Sequence, residues 1–323
     1  MESRGNFGGL VGGVGLEFMN VIDQALDTYQ PGIFSVLTLK TVTGAQENYT
    51  SVTGAGELTK FDGDGEDIPI SRQHQSYTTK SLWTNYGKSI EVSYNLMEDN
   101  DYQSELDAAR HMAIGAQFSQ DKSGVQLFNG GFATTTNVNG YDMSWYGDGV
   151  PLFSTVHPTT VPGASTQSNA SSTGIKFSDD NLETARIAVL QQQQDDGTAY
   201  SMAGTPMLAL PLNLEKEGMV VTMSDQVSGN ANNDINVYKG GRMGMMSTKL
   251  LDSNEGGSNT AWFVVMPGQH KLYHAVRQAP MQRMSVNEDN LVTKFTINAR
   301  WTEQALDWRA TWGSKGDLAA YSS

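Results

Sequence analysis

The sequence predicts an α+β protein, and three observations point to that class. Phe295, Ile297, Ala299 and Trp301 alternate strictly with Lys294, Thr296, Asn298 and Arg300, as on a strand with one buried face. Leu106, Ala109, Met112, Ala113 and Ala116 recur instead at three- and four-residue spacing, the mark of a helix with a narrow stripe of small residues. The 34 glycines among 323 residues indicate a chain rich in turns and strands, and the length suits two substructures.

The elements follow in order. Gly8, Gly9, Gly12, Gly13 and Gly15 precede Phe18, Val21, Ile22, Ala25 and Leu26 at helical spacing, which predicts a flexible arm with one short helix ending near Pro31. A strand is expected over 34–43. From Gly44 to about Thr79 no core-forming face is visible, so burial there cannot offset an ordering entropy of ~1–2 kcal/mol per residue. That segment is either a disordered loop or an arm completed by a neighbour. A strand is expected over 89–94, followed by a long helix, about 99–128, capped by Asp99 or Asn100. A second helix is expected over about 178–196, with Asp180 and Glu183 forming a capping-box-like start. Met207–Pro211, Met219–Thr222 and Ala261–Met266 read as short strands of an α/β substructure. The apolar parity changes between Trp301 and the set Leu306, Trp308, Ala310 and Trp312, which implies a bulge or bend at 302–305.

Composition narrows the function. No run approaches the ~20 apolar residues of a membrane span, and the N-terminal residues show no basic segment followed by an apolar core. The absence of cysteine removes disulfides, thiolate zinc sites and thiol nucleophiles. A net charge of -14 repels nucleic acid at long range, which argues against a sequence-reading DNA-binding role.

Isolated chemical motifs weigh little. Asp62-x-Asp64-x-Glu66 resembles half of a calcium loop, but Asp67 and Gln73 stand where glycine and glutamate belong. Ser154 and His157 invite a hydrolase reading without a nucleophile elbow. His270 and His274 lie four apart, as on a metal-binding helix, but Pro267-Gly268 favours a turn before them. His74 and His111 have no visible partner. Gly13-x-Gly15 lacks the third glycine of a dinucleotide fingerprint. Asn48 and Asn169 begin glycosylation sequons that have meaning only in a secreted chain. Trp301, Trp308 and Trp312 suit core packing better than base stacking.

Three segments carry a resemblance. Gly149–Thr159, GVPLFSTVHPT, is a doubly Pro-anchored extended connection and resembles a stretch of the major head subunit of Mu-like tailed phages and prophages. Tyr86–Ser93 with Leu96–Asn100, and Leu306–Ala310 with Gly313-Ser314, resemble the entry to the spine helix and the terminal strand of the same broad family. In this order the chain is similar to the tailed-phage major capsid proteins of the Hong Kong 97-type fold. The resemblance implies an N-terminal arm with first strand at 1–43 and an extended hairpin, the E-loop, at 44–88. It implies a peripheral domain at 89–200 and 283–323, and an α/β axial domain at 201–282.

The function implied is self-assembly into pentamers and hexamers of an icosahedral shell enclosing double-stranded DNA, in a virion assembled in the bacterial cytoplasm. Implied partners are other copies, a portal, a separate scaffolding protein and decoration proteins. The family implies no catalytic residue, no cofactor and no metal, and it implies that the chain is not an enzyme. Lys-Asn crosslinks occur in some relatives, but Lys60 and Lys80 match no crosslinking motif. An encapsulin-like compartment, and a metal or serine hydrolase, stand as alternatives.

Overall fold

The computed structural model describes residues 7–320 apart from positions 53–57, 59, 64, 66, 69, 71, 72, 201, 227–234, 240 and 288. The chain opens on helix α1 (Phe7–Thr28), much longer than the short helix expected. Phe18, Ile22 and Ala25 are buried, and Phe18 stacks on Phe295 with 4.5 Å between ring centroids. That burial outweighs the roughly 1 kcal/mol cost of each helical glycine. A Cβ at Gly15 would meet Met284 Sδ at 2.6 Å, so that long, exposed side chain would have to move aside.

A 3-10 turn at Gly32–Ser35 takes the start of the strand expected over 34–43, leaving β1 (Thr38–Thr41). Next, β2 (Gln46–Val52) and β3 (Gln75–Leu82) pair as an antiparallel ribbon, and β4 (Thr84–Ser93) follows. Ser93 caps the short helix α2 (Tyr94–Glu98) by accepting from Leu96 N. Asp99 and Asn100 therefore follow a helix instead of capping the long one. Asn100 takes φ 56°, a conformation that asparagine tolerates, and redirects the chain into α3 (Gln103–Asn129). At ~1.5 Å per residue this spine is about 40 Å long. Gly124 lies inside it because a Cβ would press on Ile33 and Leu37 at 2.9–3.0 Å.

The hairpin of β5 (Asn137–Val138) and β6 (Tyr141–Ser144) turns on Asn139-Gly140, both at positive φ, as a tight hairpin demands. The connection from 149 to 159 is extended, as expected, with Leu152 and Phe153 buried. Helix α4 (Asp179–Leu190) is capped by Ser178, whose hydroxyl accepts from Asn181 N. It is shorter than the expected 178–196, and Gln191–Gln194 leave it.

Strand β7 (Met207–Pro211) leads into helix α5 (Leu212–Met223). The strand expected at 219–222 is thus helical, with Gly218 and Thr222 buried; an apolar run that short fits either period until its neighbours are known. The remaining strands are β8 (Gly244–Thr248), β9 (Trp262–Val265), β10 (Leu272–Asn287), β11 (Val292–Ala305) and β12 (Thr311–Ser314).

Among the described residues these strands form the ribbon and two larger sheets. The first sheet is centred on the long antiparallel pair β10–β11, with β1 parallel to β10, and β4 and β6 pairing with β11. The second has the order β12-β9-β7-β8. The bulge expected at 302–305 is absent, because β11 pairs with β10 without a break from Trp301↔Val276 to Ala305↔Leu272. The irregularity lies across the ladder, between Val276 and Met281, where Pro280 has no N–H to donate. Parity changes at 306–310, where Ala310 adopts φ 62° and the chain passes from the first sheet to the second.

This crossing also corrects the expected divisions at 200/201 and 282/283. The latter falls inside β10, while β12, expected in the peripheral domain, joins the second sheet. Helix α4 packs over the same sheet through Leu182, Ala185 and Val189, which cluster with Trp262, Val264 and Trp312. Among the described residues no helix is long and apolar enough to cross a membrane.

Candidate functional site

Among the described residues, a buried polar hub and the ribbon whose stem sits beside it stand out from ordinary core packing. The hub forms where β11 ends. Arg309 donates through Nη2 to Asp195 Oδ1 at 2.5 Å, through Nη1 to Asp307 Oδ1 at 3.1 Å and through Nε to the Gln193 carbonyl at 2.7 Å. Its guanidinium also lies 4.6 Å from the Trp308 ring centroid. Lys271 Nζ reaches Asp307 Oδ2 at 3.2 Å. Burial works against the Asp307 carboxylate, yet Arg309 and Lys271 hold it below its usual range. Burial likewise opposes the charge on Lys271, and Asp307 with Tyr49 raises it above the ordinary lysine range. Such a cluster is held together because each charge has a bonded partner.

His157 extends the hub. Its ring stacks on Trp308 at 4.3 Å, with Nδ1 2.7 Å from Asp148 Oδ2 and Nε2 3.1 Å from Asn169 Oδ1. Ser154 is not its partner: the Ser154 hydroxyl accepts from Val156 N, and Ser154 N donates to Asn169 Oδ1. The hydrolase alternative therefore lacks the nucleophile–base contact that it needs. Asn169, noticed in the sequence only as part of a sequon, is fully buried. Its Nδ2 donates to the Leu152 carbonyl at 2.7 Å, and its own carbonyl accepts from Gly313 N. One asparagine thus ties the Pro-Leu-Phe segment to β12, a role that no local sequence signal marks.

The other histidines also resolve into separate environments. His270 Nε2 donates to the Val36 carbonyl at 2.7 Å, while Nδ1 accepts from Leu272 N. Burial pushes its pKa down to about 4. His274 lies 2.6 Å from Glu303 Oε1 and 3.3 Å from Gln120 Oε1. The two rings share no ligand-like partner. His74 and His111 are exposed. Trp301, Trp308 and Trp312 are all buried, so none offers a platform for bases. Asp64 and Glu66 of the acidic motif lie outside the described residues. Lys60 and Lys80 are exposed.

The ribbon stem rests on its own chain through small polar side chains, Ser51, Ser76, Thr79 and Ser81 being buried. Glu47 pairs with Lys40 and accepts from Gln304 at 3.0 Å. Ser76 bonds Tyr146 at 2.9 Å, and Lys271 lies over the Tyr49 ring. The expectation of an unsupported segment from Gly44 to Thr79 is therefore corrected for the stem. At the tip, by contrast, Leu58, Ile68 and Ile70 are 103%, 71% and 93% exposed.

A family model described as phage capsid protein matches residues 77–313. No curated protein matches the chain. Among solved structures the chain is similar to the capsid of a native GTA particle, at 9% identity over 88% of this chain and 89% of that one, with a TM-score of 0.52. It is similar to the capsid of Myoviridae phage XM1 at 11% identity, over 85% and 88% of the two chains, with a TM-score of 0.51. Similarity to the capsid of bacteriophage JBD30, decorated with minor capsid protein trimers, is 14% identity over 70% and 92%, with a TM-score of 0.51. At such identities the likeness is one of fold, and that fold is the Hong Kong 97 type.

Proposed function

Because the chain belongs to the phage capsid protein family, we propose that its copies associate as pentamers and hexamers of an icosahedral head enclosing double-stranded DNA. The observation that supports this is the ribbon: a stem fixed by specific polar contacts carries a tip whose apolar side chains Leu58, Ile68 and Ile70 are exposed among the described residues. Repetition of a modest contact of that kind around a closed shell makes it durable through multivalency. The encapsulin-like alternative is not favoured.

In this proposal residues 1–43 serve as the arm and 44–88 as the E-loop. The axial unit is built on the second sheet with α4, α5 and β12, and the peripheral unit on α3 and the first sheet. Packaged DNA meets the wall only non-specifically, consistent with a net charge of -14. A portal, a separate scaffold and decoration proteins complete the particle, which assembles in the host cytoplasm. A Mu-like head is the proposed subtype, supported by the GVPLFSTVHPT segment. Expression of the chain with and without candidate scaffold proteins, followed by light scattering and negative-stain microscopy, tests the proposal. Closed shells or capsomer rings are expected; a monomer under every condition overturns it.

A further inference from the structure

A file of side chains crosses the interior from α1 through α3 to the first sheet, and its hydrogen bonds run in one direction. The Leu26 carbonyl lies in the last turn of α1, where helical donors run out, and it accepts from Gln117 Nε2 at 3.0 Å. A carbonyl can only accept, so the orientation of the Gln117 amide is fixed. Its oxygen accepts from Gln120 Nε2 at 2.7 Å, which aims Gln120 Oε1 at His274 Nε2, 3.3 Å away. His274 Nε2 therefore carries a proton and donates it. The other ring nitrogen, Nδ1, lies 2.6 Å from Glu303 Oε1, and Glu303 Oε2 has no partner among the described residues. Both side chains are fully buried, where a carboxylate without a cation is costly, so Nδ1 donates as well.

We infer that this relay holds His274 as a cation and couples its second proton to the seating of α1 on α3. With one proton fewer, the ring keeps its Nδ1 proton for Glu303 and turns a lone pair at Nε2 toward Gln120 Oε1. Gln120 can restore that contact by turning its amide over, which sets its oxygen against Gln117 Oε1. Gln117 then turns in its place and presents oxygen to the Leu26 carbonyl. Loss of a proton at one end thus removes a hydrogen bond at the other.

The groups around the pair leave that proton to His274. Tyr86 from β4 and Tyr141 from β6 feel the Glu303 charge, and burial raises both phenols, which keeps them neutral. On α3, Lys122 is paired with Glu255, and Asp121 accepts from Ile33 N and the Tyr29 hydroxyl. The 3-10 turn contributes the Phe34 ring, 5.1 Å from His274, and β1 sets Leu39 opposite it.

Ring-nitrogen NMR of the isotope-labelled chain tests the proton, with His274→Gln identifying its signal among five histidines. At about pH 7.5, above the ~6.5 of an exposed histidine, protons are expected on both nitrogens of His274; a bare Nε2 overturns the inference. Hydrogen exchange between about pH 7 and 10 tests the coupling. Glu303→Gln is the reference, because its amide donates to Nδ1 and keeps a neutral His274 with its proton on Nε2. The last turn of α1 is expected to exchange about three- to tenfold faster in the unmodified chain than in Glu303→Gln at the alkaline end, as loss of one hydrogen bond entails, and equally at the neutral end. Equal exchange across the range overturns the inference. Gln117→Met is expected to exchange faster than the unmodified chain at neutral pH, with the difference vanishing at the alkaline end. A difference constant with pH overturns the coupling even if Glu303→Gln fails to fold.

Discussion

Two stretches of extended chain meet opposite fates in this molecule. Every residue from Trp301 to Ser314 is buried, whereas every described residue from Leu58 to Ile70 is exposed. Polarity does not separate them, since the buried run includes Glu303, Gln304, Asp307 and Arg309, while the exposed one includes Leu58, Phe61, Ile68 and Ile70. What separates them is the supply of partners. The terminal run passes from the first sheet to the second and meets a bonded counterpart for each of its charges. The apolar side chains of the tip meet no such counterpart among the described residues and stay exposed. Burial is thus decided by topology as much as by side-chain type.

That contrast can be broken at the buried end first. Arg309→Met leaves Asp195 buried without its cation and Asp307 with Lys271 alone, and denaturant unfolding is expected to show a loss of about 3–5 kcal/mol. A loss below 1 kcal/mol would mean that water reaches the hub. Acid attacks a neighbouring anchor. With its pKa depressed to about 4 in the fold against an unfolded value of ~6.5, His270 favours the unfolded chain once protonated there. Stability is therefore expected to fall as pH drops from about 6.5 toward 4, by about 3 kcal/mol in all. His270→Phe should flatten that part of the pH profile.

Asn169→Ala is expected to cost about 2–3 kcal/mol by stranding the Leu152 carbonyl and Ser154 N, and thermal unfolding checks it. At the exposed end the effect on folding nearly vanishes. Replacing 53–74 by a short turn should change stability by under about 0.5 kcal/mol and yet abolish closed shells under the electron microscope. Normal shells from that deletion would remove the functional meaning of the contrast.

Legibility in the sequence follows the range of the interactions involved. The alternation of Phe295 to Trp301 and the stripe of Leu106 to Ala113 are local periodicities, and both elements stand where those patterns put them. The long helix starts later than Asp99 because Ser93 caps a short helix first, a competition between two adequate caps that only packing settles. Met219–Thr222 is a helix because Gly218 fits against Leu210 and Met245, contacts made with other strands. The hub is not legible in the sequence for a related reason. Asp148, His157, Asn169, Asp195, Lys271, Asp307 and Arg309 are scattered along the chain, and only the end of β11 brings them together.

The sequence by itself determined the class of fold, the long helix, the central strand, the absence of thiol chemistry and the surplus of carboxylates over amines. It also marked the stretch around Asp62 to Asp67 as acidic and without a core-forming face. Only the tertiary structure decided where β11 gives way to β12, which polar residues are buried, and that the ribbon has a firm stem and an uncovered tip. Periodicity and composition are properties of neighbouring residues and survive in a string of letters. Burial of a charge, or exposure of an isoleucine, depends on what a distant part of the chain brings beside it.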